Sequence, residues 1–127
     1  MIKSLGKWLR ENREWHRHWR KAWSASIRPD SEGVTPFQRR CFAELAKAWP
    51  RDAEPPIWVR QGRKEAFFTT AIPGTPLTCW IYHCDAEISG NDIESQFECG
   101  GYADPDELLH HLVAAVSKQL GQHTPAV

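Results

Sequence analysis

The chain has 127 residues, 41% of them hydrophobic, and its 16 Lys and Arg balance its 16 Asp and Glu to a formal charge of zero. That length supplies apolar side chains for one core and not for two, so a single domain is expected, and net neutrality argues against a broadly basic nucleic-acid-binding surface. No apolar run in the sequence approaches the roughly 20 residues that cross a bilayer, and the amino terminus lacks the apolar stretch of a secretory signal, which predicts a cytoplasmic protein.

The neutrality conceals a division of charge. Residues 1–28 hold eight Lys or Arg against two Glu, whereas residues 85–107 hold eight Asp or Glu and no Lys or Arg. Either these regions attract one another, within a monomer or between copies, or each faces a partner of opposite sign.

Residues 1–25 carry four of the seven tryptophans, Trp8, Trp15, Trp19 and Trp23. Leu5, Leu9, Asn12, His16, Trp19 and Trp23 recur at the spacing of one helix face, while Arg10, Arg13, Arg17, Arg20 and Lys21 largely take other directions. The pattern predicts a basic amphipathic helix about 35 Å long if continuous. It is too basic for an ordinary core helix and too rich in Trp for an idle arm. The stretch from Ser24 to Gly33, with Pro29, Asp30 and Ser31, reads as a linker.

Thr35, Pro36 and Gln38 form a helix start, with a hydroxyl N-cap, a proline in the first turn and a glutamine that returns a hydrogen bond. The helix is expected to stop at Trp49, before Pro50, with Phe37, Cys41, Phe42, Leu45 and Trp49 on its apolar side. Beyond the breaker region at 52–56, the periodicity turns to that of strands. Four are expected: Ile57–Gln61, Glu65–Ile72, Leu77–Ile88 and Ile93–Cys99, the first two joined through Gly62, Arg63 and Lys64. In the last strand Ile93, Phe97 and Cys99 should face the core, and Glu94, Gln96 and Glu98 water. Asp104, Pro105 and Glu107 then cap a final helix that buries Leu109, Leu112, Val113, Val116 and Leu120 and ends at Gly121.

The predicted architecture is α+β, in the order α-α-β-β-β-β-α, an antiparallel four-stranded sheet with helices mainly on one face. Residues 1–28 form a basic Trp-rich helix with its linker, and residues 34–121 the compact core.

Chemistry-bearing patterns are weak. Cys79 and His83 share a face of a regular strand and Cys99 lies on a possible neighbour, but no C-x2-4-C knuckle frames a zinc site, and no metal or other cofactor is expected. The thiols read as reduced and mostly buried. Cys84 beside His83, His110 or His111 lacks any nucleophile motif, and adjacent strand residues point apart. Glu94 and Glu98 would stand about 13 Å apart along a strand, too far for a glycosidase pair. Asp106 with His110 and Glu107 with His111 read as ordinary helix neighbours. Gly100 and Gly101 precede a helix start, but in an acidic setting unsuited to phosphate. No catalytic residue is assigned.

The expected function is that of a small non-enzymatic interaction protein, a homodimer or the partner of another protein. Trp8, Trp15, Trp19 and Trp23 would supply apolar contact, and Arg13, Arg17 and Arg20 would orient it. Nucleic acid is a second possible partner, with the arginines on phosphates and Trp15 or Trp19 stacked on unpaired bases. A membrane-surface helix is a third reading. The different-class alternative is a small enzyme or ligand-binding domain whose sheet pocket is lined by Trp58, Phe68, Trp80 and Tyr82.

Overall fold

A capping box and a side-chain N-cap punctuate the chain as their residue types require. Thr35 Oγ1 accepts the Gln38 backbone N–H at 3.1 Å while Gln38 Oε1 accepts the Thr35 N–H at 2.9 Å, so α2 runs over Pro36–Ala48 and ends at Trp49. Asp104 Oδ1 likewise accepts the Glu107 N–H at 2.8 Å and starts α3, Pro105–His123. The first helix, α1, spans Ile2–Trp23. The computed structural model describes the backbone over residues 2–62 and 66–123, and side chains over 12–62 and 66–121.

Between α2 and α3 lies a five-stranded antiparallel meander, with neighbours in chain order: β1 Val59–Gln61, β2 Phe67–Ala71, β3 Thr78–Ile81, β4 Ala86–Gly90 and β5 Ile93–Phe97. The helix and strand order is the expected one, but the strand count is five rather than four. The stretch expected as one strand from Leu77 to Ile88 is folded back on itself. The Tyr82 N–H bonds the Asp85 carbonyl at 2.8 Å, closing a hairpin turn through His83 and Cys84. Thr35 Oγ1 holds that turn from outside by donating to the His83 carbonyl at 2.7 Å. The next hairpin turns through Asn91 and Asp92, both at positive φ (50° and 68°), which suits a tight two-residue turn. Arg63 and Lys64 of the expected connection, and Glu65 at the start of the expected second strand, lie outside the described residues.

The register assigns the two faces of the sheet. Phe68 pairs with Ile81, Thr70 with Cys79, Cys79 with Ile88 and Ala86 with Phe97, and these residues face α2 and α3. Leu45 and Cys41 of α2 and Leu108, Leu112 and Val116 of α3 complete one buried cluster with Cys79, Ile81, Ala86, Ile88 and Phe97, while Phe68 packs in a second, smaller one with Val34 and Ala66. Burying such a Leu or Ile contributes about 1.5–3 kcal/mol each. No helix packs on the opposite face among the elements that contact one another closely, and its central residues are only half-covered.

Candidate functional site

Helix α1 is attached at one end. Trp23 is fully buried beside Phe37, and its indole Nε1 donates to the Tyr102 carbonyl at 3.1 Å. One turn earlier, Trp19 stacks on Trp23 at 6.0 Å between ring centroids and donates to the Cys99 carbonyl at 2.8 Å. Residues 13–18 are then exposed without interruption. Six consecutive residues cover more than a full turn of 3.6, so no side of that stretch is buried in the body. Arg13, Arg17 and Arg20 are all exposed, and Trp15 retains 38% of its surface. The expected tryptophan set is therefore divided: Trp19 and Trp23 bond to the body of this chain, whereas Trp15 is exposed. The side chain of Trp8 lies outside the described residues.

The open face of the sheet is graded from apolar to acidic. At its β1 edge Val59 and Ile57 are exposed and line a hollow of about 680 Å³ with Thr69 and Ala71. In the centre, Phe67 lies 6.2 Å from Trp80 and 5.4 Å from Tyr82, ring to ring. Across β4 and β5 the surface becomes acidic, with Glu87 paired to Gln96 in the ladder and Glu94 to Ser89, and Glu98 beyond. Partial burial raises the Glu87 carboxyl above its ordinary range, and the Glu94 carboxylate raises it further.

The four aromatics expected to line one pocket stand on two sides of the sheet. Trp58 packs on Phe42 at 4.8 Å and Phe68 on Phe42 at 4.9 Å, beneath α2, whereas Trp80 and Tyr82 belong to the open face. Alternation alone separates Phe68 from Trp80, since Thr69 is the register partner of Trp80. Phe67 is the open-face aromatic that the sequence reading left out.

The thiols also fall into two sets. Cys41 and Cys79 are fully buried in the main cluster; burial pushes the Cys79 thiol up to about 12 and Cys41 in the same direction. Cys79 does not meet Cys99. Instead, continuing the β4–β5 register from Ala86↔Phe97 by two residues sets Cys84 opposite Cys99, and their sulfurs are 3.2 Å apart. Cys99 donates to Cys84, and Cys84 donates to Asp85 Oδ1 at 3.7 Å, the oxygen that also accepts the Cys99 backbone N–H at 2.8 Å.

Cys84, Asp85 and Cys99 are the one group of three prospective metal ligands among the described residues, with ligand atoms within 4.8 Å of one another. Their sulfurs stand closer than the edge of about 3.8 Å that a tetrahedral zinc with 2.3 Å Zn–S bonds imposes. The carboxylate–histidine pairs on α3 are engaged elsewhere: Asp106 pairs with Arg40, and Glu107 accepts the Ala103 N–H at 3.1 Å. No helix among the described residues is long and apolar enough to cross a membrane.

No protein-family model, curated protein or solved structure matches this chain, so its functional reading rests on its own residues.

Proposed function

We propose that the chain is a small interaction protein that self-associates, the basic arm of α1 docking on the open sheet face of a second copy. The observation that carries this reading is the uninterrupted exposure of residues 13–18, in a helix whose other end is held by two partly buried indole hydrogen bonds. A helix anchored in this manner presents Arg13, Trp15 and Arg17 with little orientational freedom left to lose on docking.

Complementarity selects the occupant. The open face offers apolar and aromatic surface beside the carboxylates of Glu87, Glu94 and Glu98, a match for a helix that carries Trp15 among arginines. The dimensions agree as well: Ile2–His18 is about 25 Å long at 1.5 Å per residue, and five strands span about 19 Å. Reciprocal docking would give a closed twofold dimer, the commonest symmetric assembly.

Sedimentation velocity of the full chain over a concentration series tests the proposal. A dimer that dissociates on dilution, and is lost when Arg13, Arg17 and Arg20 are replaced together by Glu, supports it. A monomer at every concentration, or a dimer indifferent to that triple substitution, refutes it.

A further inference from the structure

We propose that Cys84 and Cys99 form a reversible dithiol that closes to a cross-strand disulfide by exchange with a low-molecular-weight disulfide. This site is independent of the docking arm's proposed partner and rests on the placement of the two sulfurs. They face each other on adjacent strand ends, 3.2 Å apart, and a bond of about 2.05 Å needs an approach of little more than 1 Å. Each belongs to a short connection rather than to the middle of a strand, Cys84 to the β3–β4 turn and Cys99 to the 3-10 segment Cys99–Gly101. Both positions are half-buried, unlike Cys41 and Cys79.

The surroundings assign an order of attack. Cys84 lines a surface hollow of about 470 Å³ with Ala66, Phe67, Tyr82, His83 and Asp85, so a small disulfide reaches it from solvent. Cys99 donates its S–H toward Cys84, which favours negative charge on the Cys84 sulfur and makes it the first to attack. The Cys84 thiolate attacks one sulfur of the small disulfide; one thiolate leaves and a mixed disulfide forms. The Cys99 thiolate then attacks the Cys84 sulfur, forming the Cys84–Cys99 bond and expelling the second thiolate. The two cysteines are oxidised, the small disulfide is reduced to two thiols, and the two cysteine protons end on the departing thiols.

Burial raises both thiols above their usual range, and the Asp85 carboxylate adds to the effect. The reaction is accordingly slow near neutrality and accelerates with the thiolate fraction, by up to tenfold per pH unit between about pH 7 and pH 9.

The test incubates the reduced full chain with glutathione disulfide, then measures intact mass and maps peptides without reduction, with a parallel sample given zinc beforehand. The expected product is two hydrogens lighter, links the Cys84 and Cys99 peptides, and leaves Cys41 and Cys79 open to alkylation only after unfolding. A chain that stops at the glutathione adduct, one that links any other pair, or one that stays unoxidised at about pH 9 overturns the proposal. So does zinc retained one-to-one through gel filtration with oxidation blocked, which would make the cluster a metal site.

Discussion

Trp19 donates its indole N–H to the carbonyl of Cys99, the residue whose sulfur lies 3.2 Å from Cys84. The seat of the basic helix and the thiol pair therefore share one segment, 99–102, which also receives the Trp23 indole at Tyr102. Replacing Trp19 by Phe keeps a ring to stack on Trp23 but leaves the Cys99 carbonyl without that donor. Urea unfolding should show a loss of about 1 kcal/mol, against almost none for Trp15→Phe.

Trp23 and Trp15 sit in the same helix with opposite tasks. Trp23→Ala empties a fully buried site and removes a hydrogen bond, and should cost about 3–5 kcal/mol in chemical denaturation. Trp15→Ala should change stability by no more than about 0.5 kcal/mol and yet weaken association at least several-fold. Equal destabilisation by both would mean that Trp15 belongs to the fold.

Thr35 joins α2 to the β3–β4 turn, accepting from Gln38 and donating to the His83 carbonyl. Thr35→Ala removes both bonds at a buried position, for an expected cost of about 2–3 kcal/mol, whereas Thr35→Ser should recover most of it. Thermal unfolding of the two variants side by side separates the hydroxyl's contribution from that of the methyl group.

Gly90, at φ +140°, closes the β4–β5 hairpin against the chain before β3. A Cβ there would lie 2.5 Å from the Pro76 carbonyl oxygen, so Gly90→Ala must shift backbone as well as occupy a strained dihedral region. A loss of at least about 1–3 kcal/mol is expected, measured by the urea midpoint.

Association should fade on acidification. Burial first, and Glu94 second, raise the Glu87 carboxyl above 4.5, so it binds its proton before an ordinary glutamate does. For the fold alone the sign is the reverse: a raised carboxyl contributes stability below its unfolded value, and that contribution is lost as pH rises through the folded value. Docking with arginine needs the ionised form. Sedimentation between about pH 7 and pH 4 should therefore show the dimer dissociating while far-ultraviolet circular dichroism still reports a folded chain.

Most of the helical layer was legible in the residues because its signals are local. Thr35-Pro36-Gln38 and Asp104-Pro105-Glu107 carry their hydrogen bonds within one turn and cap α2 and α3 as read. The Tyr82–Asp85 turn was not legible, since it contains neither Gly nor Pro and is held from elsewhere, by Thr35 on His83 and by Cys99 on Asp85. Missing that turn also concealed the thiol pair, whose register follows only once β4 is known to begin at Ala86. The division of the tryptophans was hidden for a related reason. Helical spacing places Trp19 and Trp23 on one stripe with His16, but only the packing of the 99–102 segment decides that the contact ends at Trp19.

The most direct test of the docking account is a charge-exchange mixture followed by sedimentation velocity. One variant carries Arg13→Glu, Arg17→Glu and Arg20→Glu; the other carries Glu87→Lys, Glu94→Lys and Glu98→Lys. Each alone sets like charges against one another and should sediment as a monomer. Mixed in equal amounts, they restore opposite charges at both contacts, and a heterodimer should form with an affinity near that of the unaltered chain. Two folded variants that stay monomeric in the mixture while the unaltered chain dimerises, or variants that dimerise as readily alone as together, would contradict the assignment of α1 to the open sheet face.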